Sequence, residues 1–428
     1  MKLRKILILT SIYLPHPSAN GINTKYIIDE FKKRGYEVSC IGVKENNEKS
    51  YEVLDDTHVY RVSSSIYSKV LQKEATAKKN IFSKVLFSIL HLLRKIKLAV
   101  LIFNFPNFDL NQSNKVFKLV NNLNKKENFE CIIGVFQPYS NIAALTRFKK
   151  KNPDILCGAY FLDLTNSIRK PSVMPKAFFD WLCKKSDIEV FRILDFLLIA
   201  KSGRELYKDD IFIDFRTKIK YIDFPTFIST NNIYKRNVKK NGTSNKIVFT
   251  YAGTLDVNYR NPTLLLRYLD EVSKKIDNIQ LNIYGRGNCD HIINEYTSSD
   301  RIRVVNFGTV THNEALSAMV DSDILVNISN SYQHAVPSKI FEMFSFGKPI
   351  INFVFDKNDV TKEYFDRYPL VFNLRAWEKF DSEIERLIEF INKEKHNTIN
   401  TDIVREKYFE NTPEFTVKII EEFIFGQD

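Results

Sequence analysis

The chain has 428 residues, which is too long for one ordinary domain, and its 44% hydrophobic content is sufficient for two folded cores. The net charge of +12 predicts anionic partners such as nucleotides or an acidic membrane surface. Nucleic acid is not expected as a partner, because no nucleic-acid-binding motif accompanies the charge. The five cysteines are scattered without metal-type or redox-type pairs, which indicates buried thiols in a reducing cytosol.

The first 43 residues have the pattern of a strand-helix-strand unit. The apolar run ILILTSIYL resembles the core of a secretory signal, but the segments after it favour a first buried strand. They predict an amphipathic helix that ends at Gly35 and a second strand over 37–43. Gly21 precedes this helix in the loop after the first strand. We therefore expect Gly21 in a ligand-facing loop.

A strongly basic segment covers residues 69–97. It contains eight lysines or arginines and one acidic residue, Glu74. Apolar residues recur in it at helical spacing, at 82, 85, 86, 89, 90 and 93. A basic amphipathic helix of this kind lies in an anionic membrane interface; the alternative is a helix packed on the sheet with solvated lysines. No apolar run reaches the roughly 20 residues that a spanning helix needs, so a peripheral protein is expected.

The remainder of the N-terminal half alternates strands and helices. The strand in ILCGAYFLDL ends near Asp163, and a carboxylate at the carboxyl end of a strand is either a site residue or a cap for the following turn. Further strand and helix patterns continue to about residue 228. Residues 229–245 are polar and basic without periodicity, and we interpret them as an inter-domain linker.

A second alternating series begins at residue 246 and predicts another parallel, doubly wound sheet. Three of its strands end in glycine, at Gly253, Gly285 and Gly308, where the backbone can approach a bound nucleotide closely. The triplet 321–323 (Asp-Ser-Asp) resembles an acidic metal-binding motif. Because it closes a helix and enters a buried strand, we assign it turn and capping roles and expect no metal.

The most distinctive segment of the second half is residues 323–355. Two apolar strands enclose the short helix SKIFEMFSF, with Ser338 as its N-cap and Gly347 just past its end. Glu342 is a carboxylate in a helix that is otherwise apolar on almost every side, so it needs a hydrogen-bonding partner. A pair of ligand hydroxyls, such as a ribose, and a salt bridge to a neighbouring strand end are the two alternatives.

At these residues the chain resembles a known family. PSKIFEMFSFGKPII is similar to the signature of family-4-type retaining GT-B glycosyltransferases, including those of bacterial surface polysaccharide assembly. The resemblance implies an α/β fold of the GT-B type, with two Rossmann-like, doubly wound parallel-sheet domains facing a cleft. It divides the chain into an acceptor-side domain (1–228), a linker (229–245), a nucleotide-sugar-binding domain (246–412) and a final helix (413–428) that packs back on the first domain.

The resemblance also implies roles for particular residues. Glu342 would hold the donor ribose, and Ser338, Lys339 and Arg260 its diphosphate. The other donor-binding residues that it implies are Gly21, Gly253, Thr254, Gly285 and Gly308. Asp163 and His334 are the catalytic candidates, with Asp163 orienting the acceptor. The sequence departs from the family pattern twice, since His334 replaces a second glutamate and Thr254 an arginine, for which Arg260 is a substitute.

The expected activity is transfer of a sugar, with retention, from a nucleotide-diphosphate sugar to a glycan or polyprenyl-linked acceptor in capsule, O-antigen or exopolysaccharide biosynthesis. A UDP-sugar is favoured over a GDP-sugar, no metal or other cofactor is expected, and the cytoplasmic protein would bind the inner face of the plasma membrane through 69–97. The two alternatives are a nucleotide-sugar 2-epimerase of the same architecture and a GT-B-like binding protein without catalysis.

Overall fold

The structure of the protein is a computed structural model that describes residues 4–44, 48–64, 81–107, 109–168, 170–171, 174–230, 246–297, 301–330 and 336–426. The chain forms two compact units. Unit 1 contains Met1–Pro225 and Pro413–Asp428, and unit 2 contains Thr226–Thr412. Most of the expected linker, 231–245, lies outside the described residues.

Each unit is built on one sheet. In unit 1 the eight strands have the order β3-β4-β2-β1-β5-β6-β7-β8, and all pairs are parallel except β3–β4. In unit 2 the six strands are all parallel, in the order β11-β10-β9-β12-β13-β14. The strands are β1 Lys5–Leu9, β2 Glu37–Lys44, β3 Tyr51–Leu54, β4 Thr57–Ser63, β5 Cys131–Phe136, β6 Leu156–Phe161, β7 Phe196–Ile199, β8 Ile219–Tyr221, β9 Ile247–Ala252, β10 Ile279–Tyr284, β11 Arg303–Gly308, β12 Ile324–Ile328, β13 Ile350–Val354 and β14 Val371–Arg375.

Helices connect most of the parallel strands, as the right-handed crossovers of such sheets require. The α-helices are α1 Ala19–Lys33, α2 Ile81–Val100, α3 Leu110–Glu127, α4 Tyr139–Lys151, α5 Lys176–Ile193, α6 Thr263–Val272, α7 Asp290–Thr297, α8 His312–Asp321, α9 Lys339–Phe344, α10 Lys362–Phe365, α11 Phe380–Glu394, α12 Thr401–Lys407 and α13 Pro413–Phe425. Two sheets that are parallel except for one edge pair, with helical crossovers, confirm the predicted α/β class and its two Rossmann-like domains.

The last helix belongs to unit 1. Val417 and Ile420 of α13 share a buried apolar cluster with Ile27 and Ile28 of α1. Polar contacts add to this packing, since Arg34 forms an ion pair with Glu421 and the Tyr36 hydroxyl donates to the same carboxylate. The C-terminal segment therefore completes the core of the unit that contains the N-terminus.

Helix α2 differs from the other described helices because it exposes many large apolar side chains. Seven of its large apolar side chains are between 45% and 73% exposed: Val85, Leu86, Ile89, Leu92, Leu93, Ile96 and Val100. Their spacing places them in one stripe along the helix. Residues 69–80 of the expected membrane-binding segment lie outside the described residues. Within the described part of the chain, no helix is long and apolar enough to cross a membrane.

Three asparagines, two of them buried, link adjacent strands of the second sheet. Asn327 donates to Asn352 at 2.7 Å, and Asn352 donates to Asn373 at 2.9 Å, each pair lying directly opposite in the strand register. A slip of one residue would turn these amides to the other face of the sheet and break the chain of hydrogen bonds. The ladder thus fixes the register of β12, β13 and β14.

Candidate functional site

The carboxylate of Glu342 lies on α9, and only 2% of the residue is exposed. Lys339 of the same helix places its ammonium nitrogen 2.6 Å from Oε2, and His312 places Nε2 3.4 Å from Oε1. Of the two alternatives for Glu342, the structure therefore contains an ion pair, which Glu342 forms with Lys339 of its own helix, and the imidazole of His312 at the start of α8 contacts the other carboxylate oxygen. These contacts compensate for the burial of a carboxylate that would otherwise be costly.

Sequence reasoning did not identify His312. It is the first residue of α8, and its position is fixed by a capping box in which Thr311 and Glu314 exchange hydrogen bonds with each other's backbone. The Thr-x-x-Glu spacing in the sequence is the signal that predicts such a helix start. No sequence pattern indicated that α8 begins beside Glu342.

Aromatic packing holds α9 in place. The ring of Phe344 lies 4.8 Å from that of Tyr368, 4.6 Å from that of Tyr408 and 5.2 Å from that of Phe365. Ring pairs at these separations stabilise the folded state by more than the burial of their apolar surface alone. A short helix is marginal by itself, so this packing is what allows six residues to present Glu342 in a fixed position.

The segment that enters unit 2 contacts both ends of α9. The hydroxyl of Thr226 donates to the carbonyl of Ser338 at 2.7 Å, and the amide of Ile228 donates to the hydroxyl of Ser345 at 3.1 Å. Ser338 occupies the predicted N-cap position, but its side chain makes no capping hydrogen bond because its backbone is already helical. This leaves the first amides of α9 without the cap that the sequence predicted.

Three of the predicted glycines converge at the carboxyl ends of β9, β10 and β11. The amide of Gly253 donates to the carbonyl of Tyr284 at 2.8 Å, and the amide of Gly285 donates to that of Gly308 at 2.7 Å. Gly285 has φ +150°, and a Cβ there would lie 1.9 Å from the Gly253 oxygen. Packing between these turns therefore requires glycine at 285, independently of a ligand.

Packing within unit 1 also requires glycine at position 21. The sequence predicted Gly21 in the loop before the helix, but it lies in the first turn of α1, because the helix already begins at Ala19. A Cβ there would stand 2.1 Å from the carbonyl oxygen of Ile12. Its amide donates to the hydroxyl of Ser18, the N-cap of the helix. The absent side chain lets α1 approach the loop after β1, and a role in ligand binding stays a prediction.

Arg260 lies where the strand order of the second sheet reverses, between β9 and β12. Its Nε donates to the side-chain oxygen of Asn330, just after β12, at 2.6 Å. Open α/β sheets bind ligands at such reversal points, at the carboxyl ends of the strands. The structure thus places Arg260 at the expected edge, while His334, which precedes α9 in the sequence, lies outside the described residues.

Thr254 is exposed in the turn after β9, and its carbonyl accepts a hydrogen bond from the hydroxyl of Tyr251 at 3.0 Å. Burial raises the pKa of Tyr251 to about 12, although the nearby Arg260 guanidinium opposes that shift. Tyr251 is therefore a neutral donor near pH 7 that holds the turn in place. This turn contains the position at which the family resemblance led us to expect an arginine.

Asp163 lies in unit 1, just after β6, and is partly buried. Burial raises the pKa of its carboxyl group. Desolvation disfavours the charged form, so this carboxylate binds a proton more readily than an exposed one. A catalytic role for Asp163 stays a prediction.

The acidic triplet has a structural use. The carboxylate of Asp323 accepts a hydrogen bond from the amide of Val248, at the start of the neighbouring strand β9, at 2.8 Å. Among the described residues, no group of three or more histidine, cysteine, aspartate or glutamate side chains has an arrangement that could hold a metal ion.

A second buried carboxylate, Asp187 on α5, was not predicted. It accepts hydrogen bonds from the hydroxyl of Thr165 at 2.6 Å and from that of Tyr207 at 3.0 Å. Burial raises the pKa of Asp187 to about 7, even though both hydrogen bonds act in the opposite direction. Asp187 therefore titrates close to neutral pH in the folded protein.

We expect Asp187→Asn to change how stability depends on pH. Because the folded pKa is raised, the stabilising effect of the neutral carboxyl is fully present below about pH 4 and is lost as pH rises to about 7 and beyond. In the wild type this loss of stability amounts to roughly 2–4 kcal/mol, at about 1.4 kcal/mol per pKa unit. The amide of the variant stays neutral at every pH, so the variant does not lose this stability. The stability of the variant relative to the wild type should therefore increase between pH 5 and pH 8.

Urea unfolding at both pH values measures this effect. Asp209→Asn is the matched control, because Asp209 is exposed and pairs only at the surface with Lys184. A difference between Asp187→Asn and the wild type that stays constant over this pH range would contradict the assignment.

Comparisons with known proteins agree with the fold described above. Residues 246–389 match the family model described as glycosyl transferases group 1. A glycosyltransferase from Rickettsia africae is 13% identical with a TM-score of 0.55, each chain being covered completely. The Anabaena protein HepE, solved with UDP and glucose, is 11% identical with a TM-score of 0.56, covering 98% of this chain and 99% of its own.

A third similar structure is the UDP-GlcNAc 2-epimerase from Methanocaldococcus jannaschii. It is 13% identical with a TM-score of 0.53, and the match covers 97% of this chain and 99% of the epimerase. No curated protein matches the sequence. These similarities establish the GT-B fold. Transferases and an epimerase share that fold, so the reaction depends on the site itself.

Proposed function

We propose that this protein is a glycosyltransferase that uses a nucleotide-diphosphate sugar as donor. The observation that carries the proposal is the buried Glu342 on α9, between two strands of the unit that matches the glycosyl transferases group 1 model. A buried carboxylate can bind a pair of vicinal hydroxyls, which is the chemistry of a ribose. The solved relative with UDP supports a UDP-sugar as the donor.

In this proposal the cations beside Glu342 stabilise the leaving diphosphate. Lys339 pairs with Glu342 within α9, and its flexible side chain can move to a diphosphate oxygen when ribose hydroxyls bind the carboxylate. Arg260, at the reversal point of the sheet, supplies a second cation, and Ser338 a hydroxyl donor. Two cations directed at the position where charge develops are the main electrostatic requirement of such a transfer.

We propose transfer with retention of configuration, following the family resemblance. The bond from the anomeric carbon to the diphosphate breaks, and a bond to the acceptor oxygen forms on the same face of the sugar. The acceptor proton then passes to the departing phosphate. Asp163 would orient the acceptor hydroxyl, and the raised pKa of its carboxyl suits it to a hydrogen bond with that group.

The acceptor is proposed to be a glycan or a polyprenyl-linked oligosaccharide of surface polysaccharide synthesis, used at an anionic membrane surface. Support comes from the apolar stripe of α2 and the lysines of the same helix, such as Lys95 and Lys97, which are exposed beside it. An exposed apolar stripe with flanking cations is the arrangement by which helices lie in a membrane interface.

The 2-epimerase is the second candidate, because an epimerase is among the structures that share the fold. A panel of UDP-, GDP-, CMP- and ADP-sugars separates the possibilities by thermal shift and product analysis. We expect a UDP-sugar to raise the melting temperature by roughly 5 °C at 100 times its Kd.

The products decide between the reactions. Sugar transfer to added acceptor, or slow donor hydrolysis, supports the transferase, whereas conversion of the donor sugar to its 2-epimer without acceptor supports the epimerase. Binding without turnover would instead identify a GT-B-like binding protein. A folded protein that binds no member of the panel would contradict the proposed function.

A further inference from the structure

Unit 1 contains a cationic cavity that lies outside the residues assigned to donor or acceptor. Its volume is about 230 Å³, and it is lined by Arg204, Tyr207, Lys208, Arg216, Ile219 and Tyr221. All six residues belong to one short segment, which runs from the end of β7 to the edge strand β8. The cavity is therefore formed within unit 1 alone.

The charges of the cavity are only partly neutralised. Lys208 pairs with Glu205 at 2.5 Å. Among the residues that the structure describes, neither Arg204 nor Arg216 forms an ion pair with a carboxylate. Asp187 lies behind Tyr207 but has a raised pKa of about 7, so it only partly offsets the positive charge. The cavity thus has a net positive charge.

Both guanidinium groups are already oriented. The Cζ atom of Arg204 lies 5.4 Å from the centre of the Tyr221 ring, and Nη2 of Arg216 donates to the carbonyl of Lys208 at 3.2 Å. The positive charge of both arginines counteracts the rise that burial causes in the pKa of Tyr221, so both lie near the same hydroxyl. Two arginines that line the same cavity can both donate hydrogen bonds to one oxyanion.

The size of the cavity restricts its ligand. Sites for drug-sized molecules have volumes of roughly 300–1,000 Å³, so the cavity suits a small ligand group better than a complete nucleotide-sugar. We propose that this cavity binds a single phosphoryl group through Arg204 and Arg216, with Lys208 and the Tyr221 hydroxyl as further donors. The phosphoryl group belongs either to a small soluble phosphate or to the headgroup of an anionic lipid. This proposal does not depend on the reaction catalysed.

Titration of the full-length protein with inorganic phosphate, followed by thermal shift and calorimetry, tests the proposal. Arg204→Gln and Arg216→Gln should each weaken phosphate binding at least tenfold, and Arg204→Lys should give an intermediate loss because it keeps the charge without the planar fork. The matched control is Arg192→Gln, an exposed arginine of the same unit, which should change binding less than twofold.

A further variant distinguishes this cavity from the proposed donor site. If Lys339→Gln abolishes phosphate binding and the Arg204 and Arg216 variants do not, phosphate occupies the donor site and the proposal is overturned. Equal binding in all variants, or no binding by the wild type to either phosphate or vesicles, also overturns it.

Vesicle binding distinguishes a lipid headgroup from a soluble phosphate as the source of the phosphoryl group. We compare binding to phosphatidylcholine alone with binding to phosphatidylcholine that contains phosphatidic acid. If Arg204→Gln and Arg216→Gln remove the preference for the phosphatidic acid vesicles, the ligand is a lipid headgroup. If they reduce only inorganic phosphate binding, the ligand is a soluble phosphate.

Discussion

Replacing Glu342 with alanine is expected to weaken nucleotide-sugar binding by roughly 10- to 100-fold. Hydrogen bonds to a charged group contribute about 1.5–3 kcal/mol, and 1.4 kcal/mol corresponds to a tenfold change in Kd. The variant also removes the partner of Lys339 and His312, which leaves an ammonium group and an imidazole in partly buried positions. Calorimetry with the donor found by the nucleotide-sugar panel measures the effect.

Two further variants separate loss of the ribose contact from loss of the fold. Glu342→Gln keeps the shape and one acceptor oxygen, so it should lose less affinity than alanine. Glu363→Ala removes an exposed carboxylate from α10 of the same unit and should leave Kd unchanged. If Glu342→Ala keeps its melting temperature and binds the donor as tightly as the wild type, the carboxylate does not hold the ribose and acts only as a structural ion pair.

The fold was predictable because local patterns determine it. Apolar β-branched runs and amphipathic segments alternate along the chain, and parallel sheets follow from that alternation. Gly347 was predicted just past the end of the short helix, and in the structure it lies in the turn after α9, with φ +63°. Helix α9 itself was placed correctly between its two strands, as Lys339–Phe344. Each of these features depends on neighbours in sequence.

The contacts of the candidate site depend instead on residues that are far apart in the chain. His312 reaches Glu342, Thr226 reaches Ser338 and Asp187 reaches Tyr207 only because of tertiary packing. Periodicity describes which face of a helix is buried but not which polar group it meets there. The cationic cavity was not predicted for the same reason. The sequence does not indicate that its arginines lie together beside β8.

The exposed apolar stripe of α2 is expected to provide most of the energy of membrane binding. Replacing Leu86, Ile89, Leu93 and Ile96 with serine removes four side chains that are each about half exposed. At roughly 1 kcal/mol for each partly buried side chain, the partition onto anionic vesicles should fall at least about 100-fold. Lys95→Gln and Lys97→Gln should each reduce it by up to about tenfold, and only on anionic vesicles. Vesicle flotation with and without anionic lipid measures both effects.

Ile403→Ser and Val53→Ser are the controls, because both residues are about half exposed but lie outside α2. They should leave vesicle binding unchanged, which separates the stripe from general surface hydrophobicity. An exposed stripe of this kind can also bind a second copy of the protein. If the serine variant converts a dimer to a monomer in light scattering while vesicle binding is unaffected, the stripe is an interface between protein chains. Loss of vesicle binding by a variant whose oligomeric state is unchanged identifies the lipid surface as the partner of α2.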